Sequence, residues 1–164
     1  MTVHVRKATA GDWAGIWPFL HEIVSAGDTY SYPRDLAEDD ARGLWMLGPP
    51  GRTVVAVDDD GAILGSAKMH PNQGGPGAHV ATASFMVDPT RAGRRVGRAL
   101  GEHVIAAARH AGYRALQFNA VVETNTAAVA LWRSLGLEVL TTIPEAFDHP
   151  ELGYVGLHVM YRRL

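Results

Sequence analysis

Phe85-Met86-Val87-Asp88-Pro89-Thr90-Arg91-Ala92-Gly93-Arg94-Arg95-Val96-Gly97-Arg98-Ala99-Leu100 changes character twice. Apolar residues of β type are halted by Asp-Pro, a short loop of Gly and Arg follows, and apolar residues then recur at helical spacing. The stretch reads as a strand, a loop and a helix N-terminus. The first N–H groups of a helix have no partner inside it, and the helix dipole adds partial positive charge there. Such a turn can hold a phosphate. Gly93 and Gly97 let the backbone approach closely, and Arg91, Arg94, Arg95 and Arg98 put four guanidinium groups within eight residues of a chain whose net charge is -2. A solvated amphipathic face accounts for many arginine clusters. Here the cluster is confined to the loop and first turn, and a clear strand precedes it. There is no Gly-Lys-Ser/Thr as in a P-loop, and no three-glycine dinucleotide fingerprint followed by an acidic residue.

Towards the N-terminus, Ala78 to Val87 forms the strand that feeds this loop, after a Gly- and Pro-rich segment from Pro71 to Gly77. Ala62 to His70 and Thr53 to Val57 read as two strands joined by the turn Asp58-Asp59-Asp60-Gly61. A helix is expected from Asp35 to Leu47, broken by Gly48-Pro49-Pro50-Gly51. Trp13, Ile16, Trp17, Leu20 and Val24 mark an earlier helix, capped by Thr9 or Asp12, ended by Gly27 and kinked at Pro18. Thr2 to Lys7 alternates as a first strand. Towards the C-terminus, Val96, Leu100, Val104, Ala107 and Ala111 share one helix face before Gly112. Ala115 to Val122 is strand-like, and Thr124 or Asn125 caps a helix carrying Ala128, Leu131, Trp132 and Leu135, closed by Gly136. Glu138 to Thr142 and Tyr154 to Tyr161 supply two last strands. The expected fold is a single α/β domain over residues 1–164, with a mixed sheet.

The chain has no Cys, which excludes disulfides, thiol catalysis and cysteine zinc sites. Its eight histidines show no metal-ligand spacing, and the Asp58 to Asp60 run reads as a turn, so no metal is expected. Fifteen basic against seventeen acidic residues make no field for nucleic acid. The alternating N-terminus is neither a leader nor a membrane anchor, so a cytoplasmic location and no membrane partner are expected.

The Phe85 to Leu100 stretch resembles the acetyl-CoA pyrophosphate loop of the GNAT N-acetyltransferases, whose signature Gln/Arg-x-x-Gly-x-Gly/Ala follows a strand ending in Val-x-Pro. Val87, Pro89 and Gly97 match; Ala92 stands where Gln or Arg is usual, and Arg95 where Gly is usual. A second stretch supports the likeness. Asn125 matches a family Asn, and Trp132-Arg133-Ser134-Leu135-Gly136-Leu137 matches aromatic-x-x-x-Gly-Phe, with Leu137 for Phe and Trp132 at a position where many members have Tyr. The run Phe118-Asn119-Ala120-Val121-Val122-Glu123-Thr124-Asn125 is similar to one in fungal N-acetyltransferases that act on proline analogues.

The resemblance implies a GNAT-like domain with a mostly antiparallel seven-stranded sheet and four flanking helices. It also implies direct transfer of an acetyl group from acetyl-CoA to a small amine of amino acid or imino acid type. Phe85, Met86 and Val87 would take the pantetheine arm, with the Val87 N–H polarising the thioester carbonyl. Ala92, Gly93, Arg94, Arg95, Val96, Gly97 and Arg98 would hold the pyrophosphate, with Asn125 and Trp132 also on the acetyl-CoA side. Asn119 and Asn125 are catalytic candidates. Asn119, expected to be buried, is also a substrate candidate with Tyr30, Tyr32 and Thr82. Trp132 cannot serve as the acid that a Tyr would be, since an indole N–H has no usable acid proton; Tyr113 is a distant substitute. Glu22, Asp28 and Glu123 are candidate bases, and Thr82 or Ser84 could order water. Dimers are common in the family, which leaves a homodimer open. The alternative is a CoA-sensing module that has lost transfer, favoured by Ala92, Arg95 and Trp132; acetylation of protein N-termini or lysines is a third reading.

Overall fold

The computed structural model describes residues 1–164. Seven strands lie in the order β1-β2-β3-β4-β5-β7-β6: β1 His4–Lys7, β2 Arg52–Val57, β3 Ile63–Pro71, β4 Val80–Val87, β5 Ala115–Val122, β6 Glu138–His149 and β7 Gly153–Arg163. All neighbours are antiparallel except β4 and β5. That one parallel pair needs a crossover, which α3 (Val96–His110) provides. Helices α1 (Trp13–Ala26) and α2 (Glu38–Trp45) cover one face of the sheet, and α3 and α4 (Thr126–Ser134) cover the other. No helix is long and apolar enough to cross a membrane.

The parallel pair is short. Its register consists of Val80 with Ala115 and Ala81 with Leu116, after which β4 and β5 part. Three local features hold the gap open. Pro89 has no N–H and ends β4, while the Asp88 carboxylate accepts from the Thr90 N–H at 2.9 Å and its hydroxyl at 2.8 Å. A bulge between Phe118 and Val121 bends β5. Phe85, Phe118 and Trp132 pack as an aromatic trio from β4, β5 and α4, with centroids 4.4–5.6 Å apart.

The structure shifts several sequence-based limits. The second helix covers Glu38–Trp45 rather than 35–47, and the strand expected from Ala78 begins at Val80. The last two strands are longer, since β6 continues past two bulges to His149. On α3 the buried face includes Ile105 and Ala108, whereas Ala111 lies beyond the helix and is exposed. Helix α1 runs unbroken through the exposed Pro18.

Candidate active site

A cleft of about 820 Å³ passes through the gap between β4 and β5. Strand alternation sorts its lining. Lys68 and His70 on β3 lie opposite Ser84 and Thr82 on β4 and face α1 and α2, whereas Phe85 and Phe118 face α3 and α4 with Trp132. The cleft therefore joins the two sides of the sheet.

On the α3 side the loop is built as an anion seat. Gly93 has φ 84° and Arg95, immediately before α3, has φ 59°, both in the left-handed region. The first helical bond is from the Ala99 N–H to the Arg95 carbonyl, so the N–H groups of Val96, Gly97 and Arg98 stay free. Gly97 sits close under α4: a Cβ there would lie 3.1 Å from Leu131 Cδ2. The four arginines diverge. Arg91 lies 3.7 Å from both Asp58 and Asp88, and Arg98 donates to Ser134 Oγ at 2.7 Å and lies 3.5 Å from Glu102. Arg94 and Arg95 are exposed with no carboxylate partner. Ala92 is exposed and extended.

At the gap itself, the Tyr30 hydroxyl accepts from the Phe85 N–H at 2.9 Å and donates to the Phe85 carbonyl. It thereby takes the β4 edge that β5 has left. Burial raises the Tyr30 pKa far above its ordinary value, so this phenol stays neutral. The N–H of Val87 points to the same edge by alternation, beyond the last β5 pair. Asn125 caps α4 through a long 3.4 Å bond from the Ala128 N–H to Oδ1, leaving its amide nitrogen without a protein partner in the cleft lining. Trp132 is 7% exposed; its indole N–H makes no protein hydrogen bond, yet no buried side-chain polar atom is unpaired, so that N–H reaches the cleft.

On the other side Tyr32 stacks on Tyr30 at 5.7 Å. Thr82, Ser84, Glu22 and Asp28 line the cleft. Asn119 departs from expectation: it is exposed, because the bulge lifts it out of the β5 ladder. Its amide nitrogen donates to Asn72 Oδ1 at 2.6 Å, and its Oδ1 accepts from Gln117 at 3.0 Å and Asn72 at 3.3 Å. Glu123 is outside the cleft and accepts from the Gly156 N–H at 2.6 Å, and Tyr113 packs against the α3 core, so neither stands where a base or acid is needed. Lys68, His70 and Asn72 were missed by sequence reasoning. Ser66, Lys68 and His70 alternate with apolar residues, which from sequence looks like a solvated strand face; the helices that cover that face are remote in the chain.

The arrangement suits acyl transfer: unpaired N–H groups and exposed arginines at a helix start, a gap between two parallel strands, and a polar-lined end of the cleft behind it. The chain belongs to the acetyltransferase (GNAT) family, whose model matches residues 17–137, and it is an acetyl-CoA-dependent N-acyltransferase. It is similar to the solved GCN5-related N-acetyltransferase from Kribbella flavida, with 60% identity over 99% of this chain and 98% of that one and a TM-score of 0.96. It is 27% identical over 142 residues to the N-acetyltransferase aca1 of Schizosaccharomyces pombe, covering 78% of this chain and 68% of that one. The fold is shared with a phosphinothricin acetyltransferase from Sinorhizobium meliloti solved with acetyl-CoA, at 23% identity over 100% of this chain and 89% of that one, TM-score 0.88.

Proposed function

We propose that this protein acetylates the amine of a small molecule of amino acid or imino acid type by direct transfer. The observation that carries this reading is the acceptor end of the cleft, roofed by Tyr30 and Tyr32 and walled by the Asn72–Asn119 pair, which suits a compact amine. The free N–H groups of Val96 and Gly97 with Arg94 and Arg95 take the pyrophosphate, and the gap receives the pantetheine arm alongside Phe85, Met86 and Val87. In the transfer the amine lone pair forms the new C–N bond as the C–S bond breaks. The amine proton passes to water or a carboxylate, and coenzyme A leaves as thiolate. The Val87 N–H, with the Asn125 amide nearby, stabilises charge on the carbonyl oxygen. Glu22 and Asp28, the two carboxylates in the cleft lining, receive the proton through water ordered by Thr82 and Ser84. Trp132 supplies shape and an N–H but no acid proton.

Calorimetric titration with acetyl-CoA, followed by a thiol-release assay over amino acids, imino acids, polyamines and peptides, tests the reading. Turnover confined to small amines supports it. Turnover on peptides alone overturns the substrate class.

A further inference from the structure

Lys68 is the one lysine or arginine in the cleft lining, and it is only 8% exposed. Lysine is almost never buried without an anion, because desolvating an ammonium is costly. Here no carboxylate lies within ion-pair distance of it. Its Nζ donates to the Leu44 carbonyl at 2.8 Å and lies 5.6 Å from the Tyr32 ring and 5.5 Å from the Trp45 ring. The Leu44 carbonyl belongs to the last turn of α2, so one N–H serves as a helix C-terminal clamp. An ammonium has three donors. Two therefore remain without a protein acceptor, in a residue that stands between the chamber and a shallower hollow lined by Leu44, Leu47 and Gly48 and borders both.

The charges are also sorted. Lys68 enters from β3, whereas Glu22 and Asp28 enter from α1 and the loop after it. A chamber with a cation contributed by one wall and carboxylates by another complements a molecule that carries both an amine and an anion.

We propose that Lys68 binds the carboxylate of the acceptor, making it the residue that selects amino and imino acids over plain amines. This rests on the small-amine acceptor reading proposed above. The ion pair forms only in the substrate complex and is shielded by Tyr32 and Trp45, where a charge-assisted bond is stronger than at a surface.

The test is calorimetric, so it is independent of turnover. Protein saturated with coenzyme A is titrated with N-acetylmethionine, N-acetylproline and N-acetyltryptophan, and with the carboxamide of each. Wild type is expected to bind at least one acid about tenfold or more tighter than its amide. Lys68→Met is expected to bring acid and amide within about twofold of each other, the amide and coenzyme A affinities being retained; if Lys68→Met fails to bind coenzyme A, Lys68→Gln, which keeps a donor for Leu44, is read in its place. No acid preference in wild type, a preference that survives the substitution, or equal loss for acid and amide overturns the proposal; equal loss would leave Lys68 a clamp for α2. Absence of thiol release with every small amine, alongside a Lys68-dependent acid preference, would instead sink the small-amine acceptor reading and leave the carboxylate site standing.

Discussion

At residue scale, Arg95 combines two opposed requirements. Its φ of 59° costs a side chain with a Cβ roughly 1–2 kcal/mol, a cost that Gly avoids. Its guanidinium is exposed at the start of α3, where the pyrophosphate is proposed to bind, without a carboxylate partner. Arg95→Gly should therefore raise stability by about 1 kcal/mol in denaturant melts while weakening coenzyme A binding several-fold by calorimetry. Asn119 is the second case. Its amide and that of Asn72 bond reciprocally in the cleft lining, so they act as a unit. Asn119→Ala should lower kcat/KM for the amine about tenfold with the KM for acetyl-CoA unchanged, and adding Asn72→Ala should cost little more. A steady-state double-mutant cycle reads both; additive losses would separate the two residues.

At the scale of elements, the N-terminus of α1 is pinned to β1 by one carboxylate. Asp12 accepts from Arg6 at 2.8 and 2.9 Å, from the Thr9 N–H at 2.7 Å and from its hydroxyl at 3.1 Å. The Arg6 hydrogen bonds lead in holding its pKa down, to about 2 from an ordinary 3.8. A lowered folded-state pKa means stability that is complete above the unfolded pKa and is lost as pH falls through the folded one. Wild type should lose this contribution between about pH 4 and pH 2. Asp12→Asn should be less stable at neutral pH and show a flatter acid limb, measured as Tm against pH. Because α1 leads into the loop bearing Tyr30 and Tyr32, this anchor also supports the roof of the acceptor chamber.

At the scale of the molecule, a gap in the middle of a sheet forfeits ladder hydrogen bonds between β4 and β5 beyond Leu116, and packing must hold the strands apart at a fixed spacing. Tyr30 takes up the exposed edge of β4 at Phe85, and the trio of Phe85, Phe118 and Trp132 braces the two strands against α4. Trp132→Ala should cost about 3–5 kcal/mol and weaken acetyl-CoA binding with it, checked by chemical denaturation and calorimetry. Trp132→Phe, which keeps the ring packing, should recover most of both.

Element order, helix and strand types and the family were legible in the sequence, because those rest on residues close in the chain: the 3.6 and 2.0 periodicities, Asp88-Pro89, and Gly93 to Gly97. A cap for α4 at Thr124 or Asn125 was legible for the same reason, and Asn125 provides it. Which residues meet around the cleft depends on packing between remote segments. Asn119 looked buried among apolar neighbours, and a bulge exposed it to pair with Asn72, 47 positions away. Glu123, one of the candidate bases, is spent on the β7 backbone. Lys68 drew no reading of its own within the strand from Ala62 to His70, and it is a buried cation because α2 and the Tyr32 loop fold over that face. Burial, charge pairing and bulge position depend on contacts between remote segments, and no local pattern encodes them.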